Sequence, residues 1–392
     1  MRDILNEARA VSQRAVALRR AIHRRPEMGN EETQTAALIA QTLEALGWAV
    51  SRPFGTAVVA DLVGRRPGRT VALRADMDAL RIREETGLPF ESEVPGVMHA
   101  CGHDFHCAGL LGAAMALTPH RDELRGGVRL LFQPDEEGLG GARRLIGAGC
   151  LEGVDAVFGA HVDPDLPAGK VGFKFGKMYA ASDMFTVVVH GEGCHGASPE
   201  QGVDAIAVAA QLTVALQQIV SRRVAPADSA VITVGSFHAG AQPNAVADRA
   251  ELKGIIRTLG PETRARVKGL FRQTVEGVSA AMGARVEIHI RESYPGVVND
   301  DAMVRLAREA ACEALGEGSV ALIDAPTMAT EDFGYLAQAV PGAFYKIGVG
   351  NPEIGATYPI HSPKFVADEG AMPALIAMHA AVALKFLDSG DH

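Results

Sequence analysis

The stretch DMFTVVVHG (Asp183–Gly191) decides how the chain is divided. Its apolar run, Phe185–Val189, reads as a strand. Helical spacing follows at Val203–Val220, then strands at Ala230–Val234 and Ala247–Thr258, a helix at Pro261–Ala281 and a strand at Arg285–Ile290. That order, β-α-β-β-α-β, is the split βαβ pattern. Outward on the N-terminal side, short apolar runs read as buried strands: Ala57–Val63, Val71–Arg74, Val128–Phe132 and Ala156–Phe158, with a helical stretch around Ala108–Leu117. On the other side, after Tyr294-Pro295-Gly296, come a helix near Ala302–Leu315, a strand at Phe344–Ile347 and a final helix. Alternating strands and helices argue a mostly parallel sheet with helices on both faces. The expected architecture is therefore an α/β domain of residues 1–181 and 294–392, interrupted by an inserted ferredoxin-like domain of residues 182–293.

At the N-terminus, Ile4, Ala8, Val11, Ala15, Leu18 and Ile22 recur at helical spacing. Arg19, Arg20, Arg24 and Arg25 crowd the end of this helix, which Pro26 stops, and read as a solvated helix terminus. A second helix is expected with Asn30 as cap, burying Ala36, Ile39, Leu43 and Leu46 and ending at Gly47. With 392 residues, 47% hydrophobic and 22% charged, the chain has the balance of a globular protein of about two domains. Its 47 acidic against 38 basic residues give a net charge of −9. Such a chain gains nothing from counterion release, so no nucleic-acid partner is expected. The five cysteines, Cys101, Cys107, Cys150, Cys194 and Cys312, are too sparse for a disulfide framework. The first residues carry no apolar signal region, and no long uncharged apolar run suggests a membrane span. The richest candidate, Ala371–Leu387, contains Pro373 and His379 and reads as a buried helix. A cytoplasmic protein without a membrane partner is expected.

The chemistry-bearing residues follow the strands. Asp76 and Asp78 come after VALRA, Asp135, Glu136 and Glu137 after VRLLFQP, and His161 after AVFGA. Ligand sites in open α/β sheets lie beyond the carboxyl ends of the strands, so these groups can converge. The densest cluster is His99-Ala-Cys101-Gly-His103-Asp104-Phe-His106. A lone Cys-x-His is weak evidence, but thiolate, imidazole and carboxylate together are the donor types of zinc and manganese sites. A metal lowers the pKa of bound water towards ~7, and one of two adjacent carboxylates can ligate while the other moves protons. Spacing alone does not say which of Glu136 and Glu137 does which.

Five ordered motifs carry a resemblance: MHACGHDFH (Met98–His106), FQPDEEG (Phe132–Gly138), GAH (Gly159–His161), TEDF (Thr330–Phe333) and IHSP (Ile360–Pro363). They resemble the amidohydrolase branch of the two-metal aminoacylase and carboxypeptidase superfamily, over nearly the whole chain. That branch holds hippurate hydrolases, N-acyl-amino-acid amidohydrolases, acetyl-diaminopimelate deacetylases and auxin-conjugate hydrolases. The resemblance implies metal ligands Cys101, His103, Glu137, His161 and His361, with Cys101 bridging two divalent ions, manganese or zinc, with cobalt or nickel as alternatives. It implies Glu136 as general base and acid, Asp78 as a ligand-orienting aspartate, and His99, Asp104 and His106 as supports. Arg81, Phe105, Cys107 and Asp135 depart from the branch's usual residues and put substrate identity in question.

In the inserted domain, Gly191-Glu-Gly-Cys-His195-Gly196 matches G-x-G-x-x-G. No helix opens at its last glycine, however, and no acid follows near Leu216, so a dinucleotide site is not expected. The resemblance implies instead that His195 polarises the scissile carbonyl and that Asn244 and Arg257 grip a substrate carboxylate. It also implies that the inserted domain makes a homodimer, and leaves open pairing into a homotetramer. A serine hydrolase is disfavoured because no G-x-S-x-G occurs. The expected activity is metal-dependent hydrolysis of small N-acyl-amino acids, with a dipeptidase or carboxypeptidase of the same superfamily as the alternative.

Overall fold

The helical spacing at the N-terminus becomes α1 (Ile4–Arg24), capped by the Asp3 carboxylate, which accepts the Asn6 N–H. The computed structural model describes residues 3–138 and 140–389. Ile4, Ala8, Ala15 and Ile22 are buried as the spacing requires, but Arg19 and His23 lie on the same buried face. This corrects the solvated reading for Arg19. Its guanidinium is 1% exposed and donates to Asp104 at 2.6 Å. The second helix, α2 (Thr33–Ala45), begins after Glu32 rather than at an Asn30 cap. Asn30 takes a left-handed φ of 67° and lies three residues before the first helical residue. The Glu27 carboxylate instead accepts the Gln34 and Thr35 N–H groups at 3.0 and 2.9 Å.

The chain continues through β1 (Ala49–Ser51), β2 (Val58–Val63), β3 (Arg66–Asp76), α3 (His103–Leu117), β4 (Arg125–Gln133), α4 (Gly141–Gly147), β5 (Ala156–Pro167) and β6 (Val171–Phe173). It leaves through β7 (Gly176–Tyr179) and builds the insert from β8 (Ala181–His190), α5 (Ala205–Arg223), β9 (Ala230–Ala239), β10 (Arg249–Thr258), α6 (Pro261–Ala281) and β11 (Arg285–Glu292). It returns through β12 (Val297–Asn299) to α7 (Asp301–Leu315), β13 (Val320–Leu322), α8 (Phe333–Ala339), β14 (Gly342–Gly350) and α9 (Met372–Asp388). Two units result. One holds the chain up to Gly176, Val298–Ala325 and the chain from Asp332; the other holds Lys177–Val297 and Pro326–Glu331.

The first unit is built on an eight-stranded sheet of order β1-β2-β4-β3-β5-β14-β6-β13. β4, β3, β5 and β14 run parallel, as do β6 and β13, while β1–β2, β2–β4 and β14–β6 are antiparallel. Helices cover both faces. Along β5, Phe158 meets Phe386 of α9, whereas a side chain at the next residue, Gly159, would strike Phe333 of α8 at 2.9 Å. The segment Glu369–Asp388 is long and apolar enough to cross a membrane, but 78% of it is buried, which makes it a core helix.

In the second unit the order is β11-β8-β10-β9, with every pairing antiparallel. Val187, Leu252 and Ile256 of this sheet pack with Leu212 of α5 and with Val267 and Phe271 of α6. α5 also has the length and apolarity of a span, and its buried face belongs to this small core.

Candidate metal centre

The centre is assembled where β3, β4 and β5 deliver their polar residues beside the start of α3. Gly102 precedes α3 with φ 79°, and a Cβ there would lie 2.6 Å from Val162 Cγ2. Only glycine fits this turn, which presents Cys101 and His103 together. Among the described residues, the donor sets whose ligand atoms lie within 4.8 Å of one another include Cys101–His103–His161, Cys101–Glu137–His361 and His103–Glu136–Glu137. The Cys101 sulfur belongs to both of the first two sets.

The imidazoles of His161 and His103 are each oriented by the other ring nitrogen. His161 Nδ1–H donates to the Val162 carbonyl at 2.8 Å, which turns the Nε2 lone pair towards Cys101 Sγ, 3.3 Å away. His103 Nδ1–H donates to Asp78 Oδ1 at 3.3 Å, and its buried Nε2 has no hydrogen-bond partner. These tautomers follow from the acceptors alongside. His361 sits at the left-handed φ of 65°, its N–H held by the Ala100 carbonyl at 2.8 Å, and its Nε2 lies 3.0 Å from Glu137 Oε1. A buried imidazole nitrogen without a hydrogen bond, beside a thiol and a carboxylate crowded against a second imidazole, is the donor chemistry of a cation site, and these residues fit two divalent ions.

Electrostatics divides the histidines. Burial pushes His161 well below its usual range. Burial also opposes charge on His103, but Asp76, Cys101 and Asp78 outweigh it and hold this imidazole well up. The Cys101 sulfur and the Glu137 carboxylate push His361 up to about 10. Burial raises the Cys101 thiol, and Glu137 adds to that.

The turn carrying the glutamates is built by its neighbours. Asp78 accepts the N–H of Glu136 at 3.1 Å and of Glu137 at 2.9 Å. Asp135 takes a left-handed φ of 59°, a conformation aspartate tolerates better than alanine does. Its Oδ1 occupies the space that a Cβ at Gly29 or Gly138 would need. Of the four departures, Asp135 touches this turn. Phe105 fills the core, Cys107 donates to the Asp76 carbonyl at 3.1 Å, and Arg81 is exposed.

The supporting histidines are placed differently from the ligand candidates. His106 uses both nitrogens, one on Asp76 Oδ1 at 2.6 Å and one accepting the Val162 N–H at 2.9 Å. Asp104 accepts from Arg19 and, at 2.8 Å, from His23. His99 is buried against the His23 ring, both its nitrogens lack partners, and burial lowers it to about 4. Sequence reasoning passed over Arg74, Gln133 and Asp332, which are buried together beside Glu136. A charge inside an apolar strand was their one signal.

In the inserted unit, His195 and Asn244 come together: the Gly196 N–H donates to the Asn244 carbonyl at 2.8 Å, and His195 bridges to Ala245. His195 Nδ1 accepts the Ala197 N–H at 3.0 Å, so its proton sits on Nε2, facing outward as a donor. Arg257 lies on β10, half-buried, with Nη1 lacking any partner, and burial lowers it.

The sequence profile of peptidase family M20/M25/M40 matches residues 72–385. The chain belongs to this family. Within it, the chain is 39% identical over 386 residues to thermostable carboxypeptidase 1 of Saccharolobus solfataricus, covering 97% of each protein. It is 41% identical over 384 residues to the N-acetyl-L-cysteine deacetylase of Bacillus subtilis, covering 97% of this chain and 90% of the relative. Among solved structures, it resembles a dinuclear metal-binding peptidase of the M20 family from Bacillus subtilis, with a TM-score of 0.86, 36% identity, and 97% and 99% of the two chains covered. M20 family membership agrees with the α/β main domain, the split-βαβ insert and a hydrolytic enzyme.

Proposed function

We propose that this M20-family protein hydrolyses the amide bond of N-acyl-amino acids at a two-metal centre, releasing a free amino acid and a carboxylic acid. The observation that carries the reading is the Cys101 sulfur, shared by two donor sets. Cys101, His103 and His161 would hold one ion, and Cys101, Glu137 and His361 the other. Manganese or zinc suits this mixture of thiolate, imidazole and carboxylate, and cobalt or nickel is an alternative. Divalent ions there supply Lewis acidity towards the carbonyl and lower the pKa of water.

The chain's own residues do the rest. Glu136 takes the proton of the attacking water and delivers it to the departing amine. His195, a donor at Nε2, stabilises the oxygen that becomes negative. Asn244 and Arg257 bind the substrate carboxylate. Arg257 is suited to this because its desolvated guanidinium has a buried Nη1 without a partner. The inserted domain, residues 182–293, forms a homodimer that brings His195 to the partner's centre, and pairing into a homotetramer is an extension of the same interface logic. Five free thiols are in keeping with a reducing, cytoplasmic setting.

The similarity to a carboxypeptidase keeps peptide hydrolysis as the second reading. The test compares N-acetyl- and N-benzoyl-amino acids with dipeptides under added manganese, zinc or cobalt. Turnover confined to dipeptides would replace the first reading with the second.

A further inference from the structure

Arg74 lies within β3, in an otherwise apolar run, with its side chain fully buried. Its Nη1 donates to Asp76 at 2.7 Å, its Nη2 to Asp332 Oδ1 at 2.8 Å and its Nε to Gln133 at 2.9 Å. Gln133 Nε2 donates to both Asp332 oxygens, at 3.0 and 2.8 Å, and the Ala142 N–H adds a bond to Oδ2 at 3.0 Å. The Asp332 carboxylate is thus held by a cation, an amide and a main-chain donor. Its own main-chain N–H donates to Glu136 Oε1 at 3.3 Å. On the other branch, Asp76 holds His106, which accepts the N–H of the residue following His161.

The last torsion of a glutamate side chain is broad and two-fold, so the plane of its carboxylate is set by what it touches. A proton shuttle must be held within ~0.5 Å of its productive position. We propose that Asp332 is a positioning residue for Glu136, and that Arg74 is the clamp keeping Glu136 in register with the histidine side of the centre. The proposal rests on Glu136 being the proton shuttle. Either Asp332 oxygen, replaced by an amide NH2, would face an N–H donor, so Asp332→Asn displaces the backbone that holds Glu136 while nearly conserving shape. Removing Arg74 would leave two buried carboxylates without their cation and is expected to prevent folding, so Arg74 is not the residue to change.

The experiment measures kcat, KM, metal content and thermal unfolding for Asp332→Asn, alone and combined with Glu136→Gln. Asp332→Asn should keep its metal and KM while kcat falls about 10–100-fold, the range expected for misplaced groups. In the Glu136→Gln background the same change should alter the residual rate by less than about two-fold, because the group it positions is already gone. A purely structural role would lower both rates alike. If Asp332→Asn fails to fold, Gln133→Met, which keeps the Arg74–Asp332 ion pair, takes the same test with a smaller expected loss. A folded, metal-loaded variant with parental kcat, or equal losses in both backgrounds, overturns the proposal. Full activity of Glu136→Gln by itself would instead refute the shuttle reading, and the positioning role with it.

Discussion

Asp78 and His103 are joined by a hydrogen bond from Nδ1 to Oδ1, and the same carboxylate accepts the main-chain N–H groups of Glu136 and Glu137. One side chain thus orients a candidate ligand from α3 and the turn that follows β4. Loss of such an outer partner typically costs ~10–100-fold in metal affinity. Asp78→Ala should show that loss in a competition titration against a chelator. Unchanged affinity would mean that the His103 ring is held by packing alone.

Glu136 and Glu137 are adjacent but are proposed to have different tasks. Glu136→Gln should retain metal and lose about 10²–10⁴-fold in kcat, the span of general acid–base catalysis. Glu137→Gln should lose metal first, seen as reduced occupancy by elemental analysis before any comparison of rates. Interchanged phenotypes would reverse the assignment.

Metal loading should release protons. Without metal, burial raises the Cys101 thiol, and Cys101 and Glu137 hold His361 up to about 10. Ligation requires thiolate and neutral imidazole, so affinity should rise with pH and fall on acidification. Calorimetric titrations in two buffers of different ionisation enthalpy measure the release directly. Loading that expels no proton would exclude these two residues as ligands. Chelators should abolish hydrolysis, and alkylation of Cys101 should be faster in the chelated enzyme than in the loaded one.

His195 offers a test of assembly. His195→Ala should keep both metals and lose ~10²–10³-fold in kcat, as removal of one oxyanion donor does. Mixing it with Glu136→Gln should restore activity towards about a quarter of wild type, if subunits exchange at random in a two-fold dimer. Proven exchange with no recovery would place the action of His195 within its own chain, or outside catalysis.

What the sequence made legible was what repeats or clusters. The insert was readable because its order of two helices and four strands is itself a signature. The candidate donors stood out because cysteine, histidine and acid gathered after apolar runs. The short strands β1, β6 and β13, three residues each, are too brief to carry a period. The Arg74 clamp escaped because its acceptor Asp332 is remote. Asp332 lies 258 positions from Arg74, and no local pattern links them. Arg19 misled for the related reason that a basic helix end is solvated unless a buried acid elsewhere claims it.

The Arg19–Asp104 pair also sets how far the chain can be shortened. The family-matched segment begins at residue 72 and so leaves α1 out. Charge keeps α1 in. Cutting it away strips the buried Asp104, next in sequence to His103, of both Arg19 and His23. An orphaned buried charge of this kind typically destabilises by ~3–5 kcal/mol. The first helix is therefore a permanent counter-ion, supplied by the chain to its own centre, and a protein lacking only Ile4–Arg24 should be recovered as aggregate.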